Sequence, residues 1–304
     1  MTGQPAAPFP PGHPFSYGSA FSYGSARRRA VVPLPGAGKA LASAPRGGTG
    51  WAGIVRHDRI PESRIMSATT APEPMEPLPT RLPDAPVTLD RREGPFGEVV
   101  LRERGEHFEI IANGCFLMDT SDGRSERLLI DAALAALPAG RTGPSVLIGG
   151  LGVGFSLVRA AAQERWGRIT VVEREQAIVD WHRDGPLDRI SGPALADPRT
   201  GILHTDLVAH LRTATERYDA LCLDIDNGPD WTVTEGNESL YSPAGLAHCH
   251  DRLNPGGVLA VWSAQPSPAF EQALWNAGFS GVRTEEVAVA RGVPDVVHLA
   301  LRAD

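Results

Sequence analysis

From residue 145 onward, apolar runs of five to eight residues alternate with segments of helical period. The runs at 145–149, 168–173, 200–204, 218–225 and 257–263 are rich in Val, Ile and Leu and bounded by polar residues, as buried strands are. Helical patterns fill 153–165, 176–183, 207–213, part of 241–253, and 268–277. Strands separated by helices predict a parallel sheet with right-handed crossovers. Two closing runs, 281–289 and 295–302, are joined only by the turn Arg291-Gly-Val-Pro294, which predicts an antiparallel hairpin at one edge. The expectation is an α/β protein with a doubly wound, mostly parallel seven-stranded Rossmann-like sheet.

The segment before that sheet has a different rhythm. Short β-like runs at 98–103, 107–112 and 115–118 are punctuated by Gly105 and Asn113-Gly114, and Asn-Gly between such runs is a hairpin signal. A polar loop, 119–127, leads into a helix over 126–137 that Ser125 is placed to cap and that Pro138 and Gly140 end. A small meander of this kind serves either as a lid or dimer surface or as plain packing.

The first ninety residues show no sustained period. Pro, Gly, Ser and Ala dominate, and FSYGSA at 15–20 repeats at 21–26, so residues 1–90 read as a disordered tail. Arg27-Arg28-Arg29 before a mildly apolar stretch is a faint export pattern, broken by Pro33, Pro35 and Lys39. A second reading starts translation at Met66 and makes the preceding repeats an artefact of gene calling; N-terminal sequencing of the native protein decides it. The predicted organisation is therefore a tail at 1–90, a β-meander plus helix at 91–140, and the sheet domain at 141–304.

Chemistry gathers at the carboxyl ends of the predicted strands, where such sheets bind ligands. Gly149, Gly150, Gly152 and Gly154 follow the first strand and open a helix, so backbone can approach a ligand there. Glu173 ends the second strand, where a carboxylate can accept both hydroxyls of a ribose. Asp206 follows the third, placed to accept from an adenine amino group. Asp224 and Asp226 end the fourth. The dinucleotide pattern G-x-G-x-x-G fails from Gly149 (Leu151 takes the second glycine's place) and from Gly150 (Phe155 takes the third's). The G-x-x-x-x-G-K-[ST] phosphate loop is absent as well. What remains favours S-adenosylmethionine or a related sulfonium nucleoside. Asp224 is the candidate base for an amine acceptor, with Asp226 as electrostatic partner or second anchor. Asn227 lies in the same loop, and Trp231 and Tyr241 could wall a pocket over an acceptor's methylenes. His248-Cys-His250 lacks the facing geometry of a metal pair on a helix, so no metal is expected.

Charge adds one constraint. Residues 1–65 hold eight Lys/Arg and two acids, a charge of +6, which leaves −13 on the rest of a chain of net −7. An acidic folded part argues against nucleic acid as partner and suits a small cationic amine. No apolar run approaches the roughly 20 residues of a membrane helix. Cys115, Cys222 and Cys249 share no short spacing, which makes a reducing cytoplasm the default.

Over roughly 97–302 the chain resembles the spermidine synthase-like (aminopropyltransferase) family, a branch of the class I S-adenosylmethionine-dependent methyltransferase fold. The resemblance rests on Val146-Leu-Ile-Gly-Gly150, Val171-Val-Glu173, Asp197-Pro-Arg199, Tyr218-Asp219, the stretch 224–229, Glu238-Ser-Leu-Tyr241 and Leu253-Asn-Pro-Gly-Gly257. It implies decarboxylated S-adenosylmethionine or its parent as co-substrate, Glu173 on the ribose, Asp206 on the adenine, Asp224 as base, and a homodimer. Three departures mark a diverged member. The family's glycine motif carries an aspartate that helps seat the aminopropyl amine, and that place here is Gly152. The family's second strand-four aspartate is Asn227. Its tyrosine-histidine-glutamate cluster has no clear match near 124–129.

Overall fold

A computed structural model describes residues 85–303 apart from 233, 235 and 290–292. The tail below residue 85, with its repeat and Met66, lies outside the described residues. Eleven strands and seven helices are seen among those described, in the order β1 (Val87–Gly94), β2 (Gly97–Arg104), β3 (His107–Ala112), β4 (Cys115–Asp119), α1 (Arg124–Ala136), β5 (Ser145–Gly149), α2 (Phe155–Ala161), β6 (Arg168–Glu173), α3 (Gln176–Arg183), α4 (Asp188–Leu195), β7 (Thr200–His204), α5 (Leu207–Thr213), β8 (Tyr218–Leu223), α6 (Pro243–Arg252), β9 (Leu253–Ser263), α7 (Pro268–Asn276), β10 (Ser280–Val287) and β11 (Asp295–Leu301). A 3₁₀ turn, Asn237–Tyr241, precedes α6.

The large sheet runs β10-β11-β9-β8-β5-β6-β7. Strands β9, β8, β5, β6 and β7 are mutually parallel. The closing hairpin is antiparallel, as expected, but β11 pairs with β9 and β10 becomes the edge. The order reverses beside β5: the chain steps outward to β6 and β7, then returns to β8 on the other side. That reversal opens a crevice beyond the carboxyl ends of β5 and β8.

Strand sequence explains the layering. In β5 and β8 every residue but one is buried on both faces, so these strands are nearly continuous apolar runs. One face packs against α1, α2, α3 and α4, with Leu129, Ile130, Leu157, Trp166 and Trp181 as its large buried side chains. The other face packs against α5, α6 and α7 through Leu207, Leu211, Leu246, Phe270 and Leu274.

The small sheet, in the order β1-β2-β3-β4, is antiparallel throughout. Val99, Leu101, Phe108 and Ile110 face the first of these cores. Three local features differ from the sequence reading. Strand β1 reaches back to Val87, into the stretch read as tail; its alternation is masked by Asp90, Arg91 and Arg92. Helix α1 begins at Arg124 after Gly123, and Ser125 is buried beside Glu126 (Oγ to Oε2, 3.1 Å) instead of capping it. Helix α4 forms although Gly185-Pro186 and Pro193 give its sequence the look of a loop.

Strand β1 is fastened to the large domain by polar bonds. Trp181 of α3, 2% exposed, donates its indole N–H to Asp90 at 2.8 Å. Arg92 joins Asp90 (2.8 Å) to Asp180 (2.6 Å). Removing the carboxylate leaves a buried donor without a partner. Asp90→Ala should therefore cost about 1–3 kcal/mol in urea unfolding, above the usual worth of an exposed ion pair; an unchanged midpoint would show that β1 docks by other means.

Candidate active site

A cavity of about 630 Å³ opens at the crevice beyond β5 and β8. Of the residues singled out by sequence, Gly150, Gly152, Glu173, Asp206, Asp224, Asp226, Asn227 and Trp231 all line it. Gly149, Gly154 and Tyr241 stand behind its wall. Gly149 closes β5 against Leu207, Gly154 precedes α2 with φ +95°, and Tyr241 is buried edge-on to Phe270 with its hydroxyl 3.4 Å from the Ile225 carbonyl.

The glycine turn is shaped by close approach. Gly150 has φ +93°, and a Cβ there would overlap the Asp224 carbonyl oxygen, so no larger residue fits. Gly150 N–H donates to Val172 O (2.9 Å), and Leu151 N–H donates to Glu173 Oε2 (2.9 Å). Glu173 Oε1 accepts from Glu175 N–H (2.8 Å). Burial pushes this carboxyl up, and those backbone donors pull against it. Part of Glu173 is therefore spent on bracing the turn, with the remainder facing the cavity. Asp206 likewise divides its work: it caps α5 by accepting from Ala209 N–H (2.7 Å) while lining the adenine end of the expected site.

Gly152 has φ +50°, and a Cβ there would run into the thioether of Met118. A side chain of β4 thus fills the space that an aspartate at 152 would need. Met118, Phe116, Leu117, Val99, Ala112 and Ile178 give the cavity lining an apolar part.

Another part of the lining is acidic. Asp224 directly follows β8 and accepts from Ser156 Oγ at 3.2 Å. Burial pushes it up to about 6; the Ser156 hydroxyl opposes the shift and the charge of Asp295 adds to it. Glu126, 8% exposed in the first turn of α1, is pushed up to about 7 by burial first and by Asp224 next. Asp295, at the start of β11, is also raised by burial. Among the described residues no cationic side chain forms an ion pair with any of the three. Sequence reading passed over Glu126 and Asp295. The signal for Glu126 was its register: Leu129, Ile130 and Ala133 stand at i+3, i+4 and i+7, so the carboxylate lies on an apolar stripe. Asp295 gave none beyond its place at a strand start.

Asp226, also in the cavity lining, has a structural task as well. It adopts φ +58°, rare for a residue with a side chain, and its carboxylate accepts from Thr234 N–H (3.1 Å) and Asn237 Nδ2 (2.6 Å). It pins the loop after β8 to the 3₁₀ turn. In that loop Trp231 is 61% exposed at the cavity mouth, and the Asn227 carbonyl accepts from Ala264 N–H at 3.1 Å. Arg174 spans the mouth, with its guanidinium 4.2 Å from the Phe96 ring centre and bonded to Thr234 Oγ1 at 3.2 Å. Among the described residues no cluster of metal-ligating side chains occurs, and no helix is long and apolar enough to cross a membrane.

No family model matches the chain. It is similar to polyamine aminopropyltransferase 2 of Pseudomonas aeruginosa, 29% identical over 147 residues, covering 47% of this chain and 39% of that protein. It is also similar to polyamine aminopropyltransferase 1 of Streptomyces coelicolor, 31% identical over 123 residues, covering 40% of this chain and 22% of that protein. The matches thus span well under half the length of these curated relatives. Among solved structures it superposes on spermidine synthase from Thermotoga maritima with a TM-score of 0.58 at 15% identity, over 71% of this chain and 73% of that one. It also superposes on a spermidine synthase in complex with the transition state analogue AdoDATO, with a TM-score of 0.59 at 16% identity, over 71% and 74% of the two chains. At such identities the superpositions establish the fold.

The raised Glu126 has a consequence for stability. Its value in the fold lies above its ordinary 4.5, so between those limits the folded chain holds a proton that the unfolded chain has lost. Stability falls as pH rises through this window. Glu126→Gln removes the penalty: it should raise the unfolding free energy above about pH 7 and change little below about pH 4, where the carboxyl is protonated in both states. A gain independent of pH would locate the carboxylate outside the acidic wall.

Proposed function

We propose that this chain, a diverged relative of the spermidine synthases, is a transferase. It would move an aminopropyl-type alkyl group from decarboxylated S-adenosylmethionine, or a related sulfonium nucleoside, to a small amine. The observation that carries this reading is the placement of Asp224. A raised carboxyl ends a central strand, in backbone contact with the glycine turn, inside a cavity large enough for a nucleoside.

The residues present fit such a donor. Gly150 and Gly152 offer a flat backbone surface, Glu173 and Asp206 offer carboxylate oxygens to ribose and base, and Val172 and Ile178 offer apolar walls. The donor supplies a carbon already activated by positive sulfur. The chain supplies alignment and a place for the proton. An ammonium acceptor has an ordinary pKa of roughly 10 and must lose a proton before its nitrogen can attack. Asp224 takes that proton, the new N–C bond forms as the C–S bond breaks, and a neutral thioether leaves. Glu126 and Asp295 place two further carboxyls beside the acceptor, and an entering cation would favour their ionised forms.

One observation favours a second reading, methyl transfer from S-adenosylmethionine to a small molecule. Met118 occupies the space beside Gly152, so the donor's side arm meets a thioether where the family resemblance implies a carboxylate. Calorimetry with both sulfonium compounds and methylthioadenosine separates the readings. Preference for the decarboxylated donor supports aminopropyl transfer, and preference for the full amino acid form supports methyl transfer. Binding of the nucleosides without turnover on any amine would leave a non-catalytic nucleoside-binding protein.

The base assignment has its own test. Asp224→Asn should lower turnover by at least about 10²-fold, the low end for a general base, and leave donor affinity within about twofold. The wild-type rate should climb with pH through a limb near 6, where Asp224 ionises. Loss of donor affinity in the variant would make Asp224 a donor ligand instead.

A further inference from the structure

His182 touches the glycine turn from the side opposite the cavity, and neither binding nor proton transfer as described above uses it. It lies in the last turn of α3, with no exposed surface. Its Nε2 is 2.8 Å from the Gly152 carbonyl oxygen, and its Nδ1 is 2.6 Å from Ser191 Oγ on α4. A carbonyl only accepts, so Nε2 carries the proton; the Nδ1 of a neutral ring is then an acceptor, and the Ser191 hydroxyl donates to it. Ser191 Oγ is also 3.4 Å from Leu187 O, but its single proton is committed to the shorter bond. Burial holds the imidazole below its ordinary range, which keeps it neutral and keeps this direction of donation.

The relay bears on the segment of the turn that needs it most. Gly150 is fixed by Val172 O, Leu151 by Glu173, and Gly154 N–H by Leu151 O at 2.9 Å. Gly152 sits between these ties in a left-handed conformation, lines the cavity, and has Met118 on one side. Because the peptide is planar, holding its carbonyl toward α3 fixes the whole Gly152–Val153 peptide plane. A Cβ on Gly154 would also press against the His182 ring, so turn and imidazole are packed as well as bonded.

We propose that His182 is a positioning residue for the donor: through Ser191–His182–Gly152 it presets the cavity-facing part of the glycine turn, so that donor binding depends on how α3 and α4 are docked. This rests on the reading that the cavity takes a sulfonium nucleoside.

The test uses the full chain and the variants His182→Ala, His182→Gln and Ser191→Ala. Methylthioadenosine affinity is measured by calorimetry, and donor KM and kcat by initial rates. His182→Ala should weaken methylthioadenosine binding by about tenfold or more, the worth of one buried hydrogen bond, and raise donor KM while kcat and acceptor KM move little. His182→Gln, whose amide can still donate to Gly152, should recover most of the loss; Ser191→Ala should fall between. In the free protein, amide exchange at Gly152–Gly154 should speed up in His182→Ala alone of the two His182 variants. Wild-type affinity and exchange in His182→Ala would overturn the proposal. If the alanine variant does not fold, a His182→Gln or Ser191→Ala variant whose turn exchanges faster than wild type yet binds methylthioadenosine with wild-type affinity would overturn it too, because binding would then be indifferent to the brace. A wild-type protein that binds no sulfonium nucleoside overturns the functional reading itself, and the exchange measurement then reports the turn on its own.

Discussion

The contact on which the site depends is between two stretches of backbone. Where the chain leaves β5 at Gly150 it passes so close to the Asp224 carbonyl that no Cβ fits, and Asp224 N–H in turn donates to Gly149 O at 2.9 Å. Adjacent parallel strands normally diverge into separate crossovers at this end. Here they stay bonded for one residue more, and Gly150 N–H extends the ladder sideways to Val172. The turn that would bind the donor and the acid that would take the proton are therefore set by one continuous hydrogen-bonded edge. The backbone separation of the two is set by that edge, and the Ser156 hydroxyl then orients the Asp224 carboxylate.

Charge is distributed to match. Three carboxylates share the cavity lining, and among the described residues no basic side chain forms an ion pair with them, while arginines serve elsewhere: Arg174 bridges the mouth, Arg92 fastens β1, and Arg141 binds Asp219. Burying like charges together lowers stability, and the cost is relieved either by protons or by a cation. Proton uptake and affinity for the proposed amine would thus be two responses of one cluster.

The sheet was legible because its strands are buried on both faces and its helices show a clear period; even the antiparallel ending could be read. Strand β1 was not, since Asp90, Arg91 and Arg92 break its apolar alternation: Asp90 and Arg92 bond α3, and Arg91 pairs with Glu98 of β2. Helix α4 was hidden by prolines and glycines that its packing tolerates. Within the site, the acids that follow the strands could be found by position. Their division of labour could not: Asp226 and Asp224 are two residues apart, read alike and both line the cavity, yet Asp226 also holds a loop through Thr234 and Asn237 while Asp224 accepts from Ser156. His182 shows the same limit from the other direction, because a histidine on the buried face of a helix looks like core until its two nitrogens are seen to have named partners.

Gly152 carries two constraints of different kinds. Its φ of +50° strains any side chain placed there, whereas the atoms a Cβ would meet are the far end of the Met118 side chain, which has three rotatable bonds and can swing aside. The backbone at 152 is therefore the fixed element and the thioether beside it the adjustable one. The apolar floor that β4 lends to the cavity can reshape itself around an occupant by rotation of one unbranched side chain, while the glycine turn keeps its place.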